Sequence, residues 1–225
     1  MNTSNLLFFT LVKRECLLYV RKLSQVVNPL LFFFLIISLF PMGMSIEAAL
    51  LKKIAPGLVW ISVLLASLLS IDRLFFYEFE SGLLEQKLLS PVPLLQRIYA
   101  TLLVHWLMTA LPLILICPLL GVMYGLSLSV TGSLMLSLLC GTPIITLIIG
   151  VLAAMILSAG NRSALISLVF LPLTIPVLIF GSASVLMTQQ GLDPTPIYLL
   201  LIGLGLMCFA LGPFLIRKSL YLAVE

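Results

Sequence analysis

With 62% apolar residues against 9% charged, and a mean hydropathy of +1.27 over 225 residues, this chain has too few polar side chains to cover a surface in water. A soluble domain carries roughly 25% charged residues, so a soluble globular protein is excluded and lipid is the solvent. The net charge of +4 comes without a basic patch interleaved with aromatics, so the cations read as topology signals and headgroup contacts, and nucleic acid is excluded as a partner.

Backbone in hydrocarbon must satisfy its own hydrogen bonds, which leaves helix bundles or closed barrels. The apolar runs are continuous and lack the alternation of barrel strands, so the expected fold is all-α, a polytopic membrane helix bundle. Residues 5–27 come first and read as an amphipathic helix lying in the membrane interface. At about 100° per residue, Phe8, Val12, Cys16, Tyr19, Leu23 and Val26 share one arc, and Lys13, Arg14, Arg21, Lys22 and Gln25 fall on the other side. Asn28-Pro29 is expected to break it. No small-residue cleavage site follows the basic residues, so the first span is expected to act as an uncleaved targeting signal.

Six spans follow, at about 29–46, 54–71, 98–120, 133–158, 164–186 and 197–216. Glu47 to Lys53 reads as a short loop, and Gly121, Gly125 and Gly132 as a turn. Gly141-Thr142-Pro143 is expected to interrupt the fourth span, Ala159 to Ser163 to form a turn, and Arg217-Lys218 to close the sixth. Pro112, Pro118, Pro143, Pro172 and Pro176 predict helices that bend or leave carbonyls facing a cavity. With six spans both termini share a side. Lys13, Arg14, Arg21, Lys22, Arg73, Lys87, Arg97, Arg162, Arg217 and Lys218 fall there, against Lys52 and Lys53 opposite, so that side is expected to be cytoplasmic.

The same side holds the charged stretch 72–97, the largest surface open to a soluble partner. Asp72 to Glu80 is expected to carry the second span past the membrane. Gly82 ends that helix, Leu83 to Leu89 forms a short one, and Ser90-Pro91-Val92-Pro93 stops it. A short helix between two breakers can seat in a groove of a soluble ATPase and move as a unit.

Catalytic groups are scarce. HExxH, GxSxG and paired intramembrane carboxylates are missing, which points away from an enzyme, and without GxxxxGK[ST] the chain has no P-loop for ATP. Cys16, Cys117, Cys140 and Cys208 form no CxxC and read as small buried hydrophobes. His105, the chain's one histidine, can serve as an axial ligand to haem iron or as a helix–helix hydrogen-bond partner.

Glutamate, glycine, Leu83-Leu84-Glu85 and Leu88-Leu89-Ser90-Pro91, in that order, resemble the cytoplasmic signature of ABC-2-type permeases. The whole chain resembles the haem exporter B (CcmB) family of the cytochrome c maturation system. The matching stretches are Asn28-Pro29-Leu30, Leu39-Phe40-Pro41, Ile54-Ala55-Pro56-Gly57 with Trp60, and Asp72-Arg73-Leu74-Phe75. They continue with Gly82, Leu84-Glu85-Gln86, Ser90-Pro91, His105-Trp106 and Leu111-Pro112-Leu113. Gly141-Thr142-Pro143, Leu171-Pro172-Leu173-Thr174-Ile175-Pro176 and Ile179-Phe180 complete them. Leu83 and Ala110 depart from the small polar residue and the glycine that the family pattern leads one to expect.

The resemblance implies a permease subunit in a bacterial inner membrane that binds no cofactor of its own, with haem as cargo and ATP bound by a partner. It implies an ATPase subunit (CcmA), a haem-handling membrane subunit (CcmC), a small helper (CcmD) and a haem chaperone (CcmE), with two copies of this chain per complex. ATPase coupling would fall to Glu78, Glu80, Gly82, Glu85, Ser90 and Pro91, the carboxylates pairing with basic residues of the ATPase. His105 and Trp106 are the candidate haem contacts. An ABC-2-type permease for another amphiphile (lipid, glycan or drug), and a scaffold that transmits ATPase motion without moving cargo, stay open as alternatives.

Overall fold

The computed structural model describes residues 3–21, 24–44, 47–71, 74–159 and 163–224. They form α1 (Thr3–Arg21), α2 (Ser24–Met44), α3 (Ala48–Leu68), α4 (Phe76–Glu80), α5 (Leu83–Leu89), α6 (Leu94–Met123), α7 (Leu128–Ala159), α8 (Ser163–Gln189) and α9 (Thr195–Val224). Six of these, α2, α3, α6, α7, α8 and α9, are long and apolar enough to cross a membrane. The chain is a multi-pass helical membrane protein. Leu115, Leu119, Leu199, Leu206 and Phe214 are among many large apolar side chains left exposed on the outside of the bundle, where lipid solvates them.

α7 is the most buried span and packs on α6, α8 and α9. α3 joins α8 to α2, and α1 lies on α6. Trp60 of α3 is fully buried and donates from Nε1 to Ser137 Oγ of α7 at 3.3 Å. Its indole occupies the space that β-carbons on Gly141 of α7 and Gly181 of α8 would need. Gly141-Thr142-Pro143 therefore does not interrupt its span. α7 runs through it without a break, because the glycine there receives a neighbouring ring.

Other expected boundaries also move. α1 is described to Arg21 and α2 from Ser24, and Asn28-Pro29 breaks no helix, since Pro29 sits inside α2, near its start. Lys52 and Lys53 are in α3 rather than in a loop, and Arg217 and Lys218 are inside α9 rather than at its close, lysine and arginine being good helix formers. α3 does not carry on into the charged stretch. It ends at Leu68, and just beyond that end Ser70 donates its hydroxyl to the Ser67 carbonyl at 2.6 Å. Of the expected glycine turn only Gly125 serves, at φ +62°. It lets Leu126 N–H reach back to the Gly121 carbonyl at 2.8 Å and seal the end of α6. Asp72, Arg73, Asn161 and Arg162 lie outside the described residues.

Three prolines inside helices explain three long-range hydrogen bonds. A proline lacks the N–H that would bond the carbonyl four residues earlier, and hydrocarbon offers no water to replace it. Pro41 frees the Ile37 carbonyl, which Tyr124 Oη reaches at 2.8 Å. Pro56 frees that of Lys52, and Gln189 Nε2 donates to it at 2.9 Å. Pro213 frees that of Phe209, and Tyr99 Oη lies 3.4 Å away. In each pair a side chain from another helix supplies the missing donor.

Candidate functional site

The stretch between α3 and α6 stands outside the six spans and folds into a hairpin of two short helices. Gly82 joins them at φ +68°, a left-handed conformation that costs a residue with a β-carbon about 1–2 kcal/mol. Ser90 takes an extended conformation (ψ 146°) and Pro91 follows, which stops α5. Ser90 Oγ then accepts a hydrogen bond from an Arg97 guanidinium nitrogen at 2.5 Å, fixing the start of α6 to the end of the hairpin.

The hairpin has two faces. Glu80, Glu85, Gln86 and Pro91 are exposed, with Phe76, Tyr77 and Phe79 beside them, and Leu89 is 88% exposed. This is a mixed acidic and apolar surface beside an apolar body. The other face is turned inward. Lys87 is only 8% exposed and bonds the Glu78 carboxylate, and Glu15 of α1 stands 3.5 Å from the same ammonium. Two carboxylates thus share one buried cation, and the charges stay buried because they face one another. Burial pushes the Glu15 carboxyl above the usual carboxylate range, and the Lys87 charge pulls it part of the way back.

One turn along α1 from Glu15, Tyr19 Oη lies 2.8 Å from Nδ1 of His105, and Ser70 Oγ lies 3.4 Å from Nε2. Ser70 has one hydroxyl proton, and it goes to the Ser67 carbonyl. Ser70 therefore accepts from His105 Nε2–H, and Nδ1 accepts from Tyr19 O–H. Only 2% exposed, the ring ties α1, the end of α3 and α6 together. Trp106, about 100° around α6, faces elsewhere. Its Nε1 donates to Thr142 Oγ1 of α7 at 2.9 Å, and its ring lines an apolar cleft of about 250 Å³ with Tyr99, Pro143 and Phe209.

The candidate coupling residues are therefore divided. Glu80, Glu85 and Pro91 are at the surface, Gly82 and Ser90 shape the hairpin, and Glu78 is committed within the chain rather than open to a partner. His105 and Trp106 do not converge on one site. Both ring nitrogens of His105 are engaged, and a ligand at Nδ1 would first have to displace Tyr19. Sequence reasoning missed Glu15, Tyr19, Ser70 and Lys87 as a group. The signal present was that Glu15 is the only acid in a helix whose other charges, Lys13, Arg14 and Arg21, are all basic. Among the described residues no cluster of His, Cys, Asp or Glu is placed to hold a metal ion.

This arrangement offers an exposed acidic and apolar surface and buried links beneath it. Comparison with known proteins agrees with a membrane subunit. The family described as "CcmB protein" matches residues 6–223. Heme exporter protein B of Pseudomonas aeruginosa is 42% identical over 217 residues, covering 96% of this chain and 97% of the relative. Heme exporter protein B of Haemophilus influenzae is 37% identical, covering 98% and 100%. That of Escherichia coli K12 is 34% identical, again covering 98% and 100%. A family match along almost the entire length, together with identities above a third across the bundle and the hairpin, places this chain in the CcmB protein family.

Proposed function

We propose that this chain is the membrane-spanning permease subunit of a haem-export system serving c-type cytochrome assembly, driven by ATP that a partner subunit hydrolyses. The names of its relatives support haem as the cargo. The single observation that carries the coupling role is the two-faced hairpin, acidic and apolar outside and anchored inside through Lys87 to α1. The proposed ATPase partner is a CcmA subunit, seated on Glu80, Glu85 and Leu89. CcmC, CcmD and the chaperone CcmE complete the assembly, with two copies of this chain facing two ATPase subunits. The excess of cations at the hairpin end supports a bacterial inner-membrane setting with that end and both termini in the cytoplasm.

A second reading, a scaffold that passes ATPase motion to a haem-handling subunit without moving cargo, is favoured by the clefts beside α7. One is walled by Leu102, Leu103, Trp106 and Leu147, the other by Val151, Leu173, Met207 and Leu215, and both are apolar rather than a wide polar path. The deciding experiment is co-purification followed by addition of ATP. The proposal expects an ATPase subunit and a haem-binding membrane subunit to come out with this chain, and ATP to release a haem-loaded chaperone. Labelling of Glu80→Cys from the outer side of the membrane alone would overturn the orientation and with it the coupling scheme.

A further inference from the structure

The buried polar groups on α5, α1 and α6 form one connected series whose last member is a covered imidazole. Lys87 of α5 holds Glu15 of α1. Glu15 and Tyr19 lie one helical turn apart on the same face of α1. Tyr19 donates to Nδ1 of His105. The tautomer is set by Ser70, whose proton is spent on Ser67, so Nδ1 carries the ring's free lone pair and the Tyr19 hydroxyl lies over it. The phenol stays protonated, since burial and then the nearby Glu15 charge both push its pKa up. α1 is a separate helix, and Tyr19 and Glu15 are its buried polar side chains among the described residues.

We propose that Tyr19 is a removable cover on His105, and that the Lys87–Glu15 pair keeps it closed, so that displacement of α5 uncovers an imidazole lone pair in the body of the bundle. Glu15, Tyr19 and Lys87 are thus positioning residues that act through His105. An uncovered Nδ1 takes a proton or an electrophile. The inference rests on the proposed function only in naming a partner ATPase as the source of the displacement. The cover and its latch are properties of this chain.

His105 is the only histidine in the sequence, which makes it a single-site probe. Diethyl pyrocarbonate reports a free imidazole lone pair. The nitrogen attacks one carbonyl, a C–N bond forms, the C–O bond breaks, and the ring's Nε2 proton leaves with the ethyl carbonate, which decays to ethanol and carbon dioxide. The experiment follows carbethoxylation of the His105 peptide by mass spectrometry in the full-length protein, reconstituted without any partner. Wild type is expected to react slowly. Tyr19→Phe should react about fivefold faster or more, the factor set by loss of one hydrogen bond. Lys87→Met and Glu15→Gln should fall between the two, and Lys87→Arg should match wild type. Glu15→Gln keeps the volume and removes the charge, so it serves where Lys87→Met fails to insert. A slow Tyr19→Phe would overturn the cover. A fast Tyr19→Phe with slow Glu15→Gln would overturn the latch. Neither result touches the ATPase assignment, and failure of the co-purification would leave the cover and latch standing.

Discussion

Tyr124, at the end of α6, donates its hydroxyl 2.8 Å to the Ile37 carbonyl of α2, the acceptor that Pro41 leaves without its helical partner. The bond and the proline should therefore be energetically coupled. Tyr124→Phe is expected to cost about 1 kcal/mol in the native background. In a Pro41→Ala background the helix regains its own N–H, and the same change should cost about 0.5 kcal/mol less. Reversible unfolding of the four proteins in mixed micelles checks this. Strict additivity would show that the proline and the tyrosine are independent.

Gly181 has an ordinary helical backbone and no room, because the Trp60 indole fills the space beside it. Gly181→Ala should destabilise the fold by about 1–3 kcal/mol through overpacking. Replacing Trp60 with phenylalanine in the same protein should recover part of that loss. The melting temperature of each variant decides between this and a glycine chosen only for flexibility.

Gly82 is the converse. A β-carbon there would meet nothing within 4 Å, but φ is +68°. Gly82→Ala should cost about 1 kcal/mol, and Gly82→Asn less, because asparagine tolerates the left-handed region. The loss falls on the hairpin rather than on the bundle. Limited proteolysis should therefore cut the alanine variant between α4 and α5 sooner, while the thermal transition of the bundle hardly moves.

Glu85 is exposed on the outer face of the hairpin and outside the ion cluster that holds the inner face. Glu85→Lys should leave insertion and the fold intact and lower cytochrome c yield several-fold, by putting repulsion where an attractive contact with the ATPase is proposed. Yield by haem staining, alongside the amount of protein in the membrane, measures it. A normal yield would remove Glu85 from the coupling surface.

The six-helix plan was legible in the residues because it depends on a bulk property. Long runs of apolar side chains in lipid must close their backbone hydrogen bonds locally, and the helix does so whatever its neighbours are. The punctuation of the hairpin was legible for a similar reason, since Gly82 and Ser90-Pro91 act on their own backbone torsions. The roles of glycine and proline inside spans were not. Gly141 looks like a break and is a seat for Trp60, sent by a helix 81 residues upstream (141 − 60).

Partnership was the part left to three dimensions. Glu78 reads as an open carboxylate for another protein, but it faces Lys87. Glu15, the single acid of α1, shares that same ammonium from outside the hairpin. The Tyr19–His105 contact spans 86 positions, and Tyr124–Ile37 spans 87. Local period and composition constrain which face of a helix turns inward, but not which face of which other helix it meets. That choice was made when ridges, glycine notches and freed carbonyls were fitted together in the packed bundle, where an unmatched polar group has no water to fall back on.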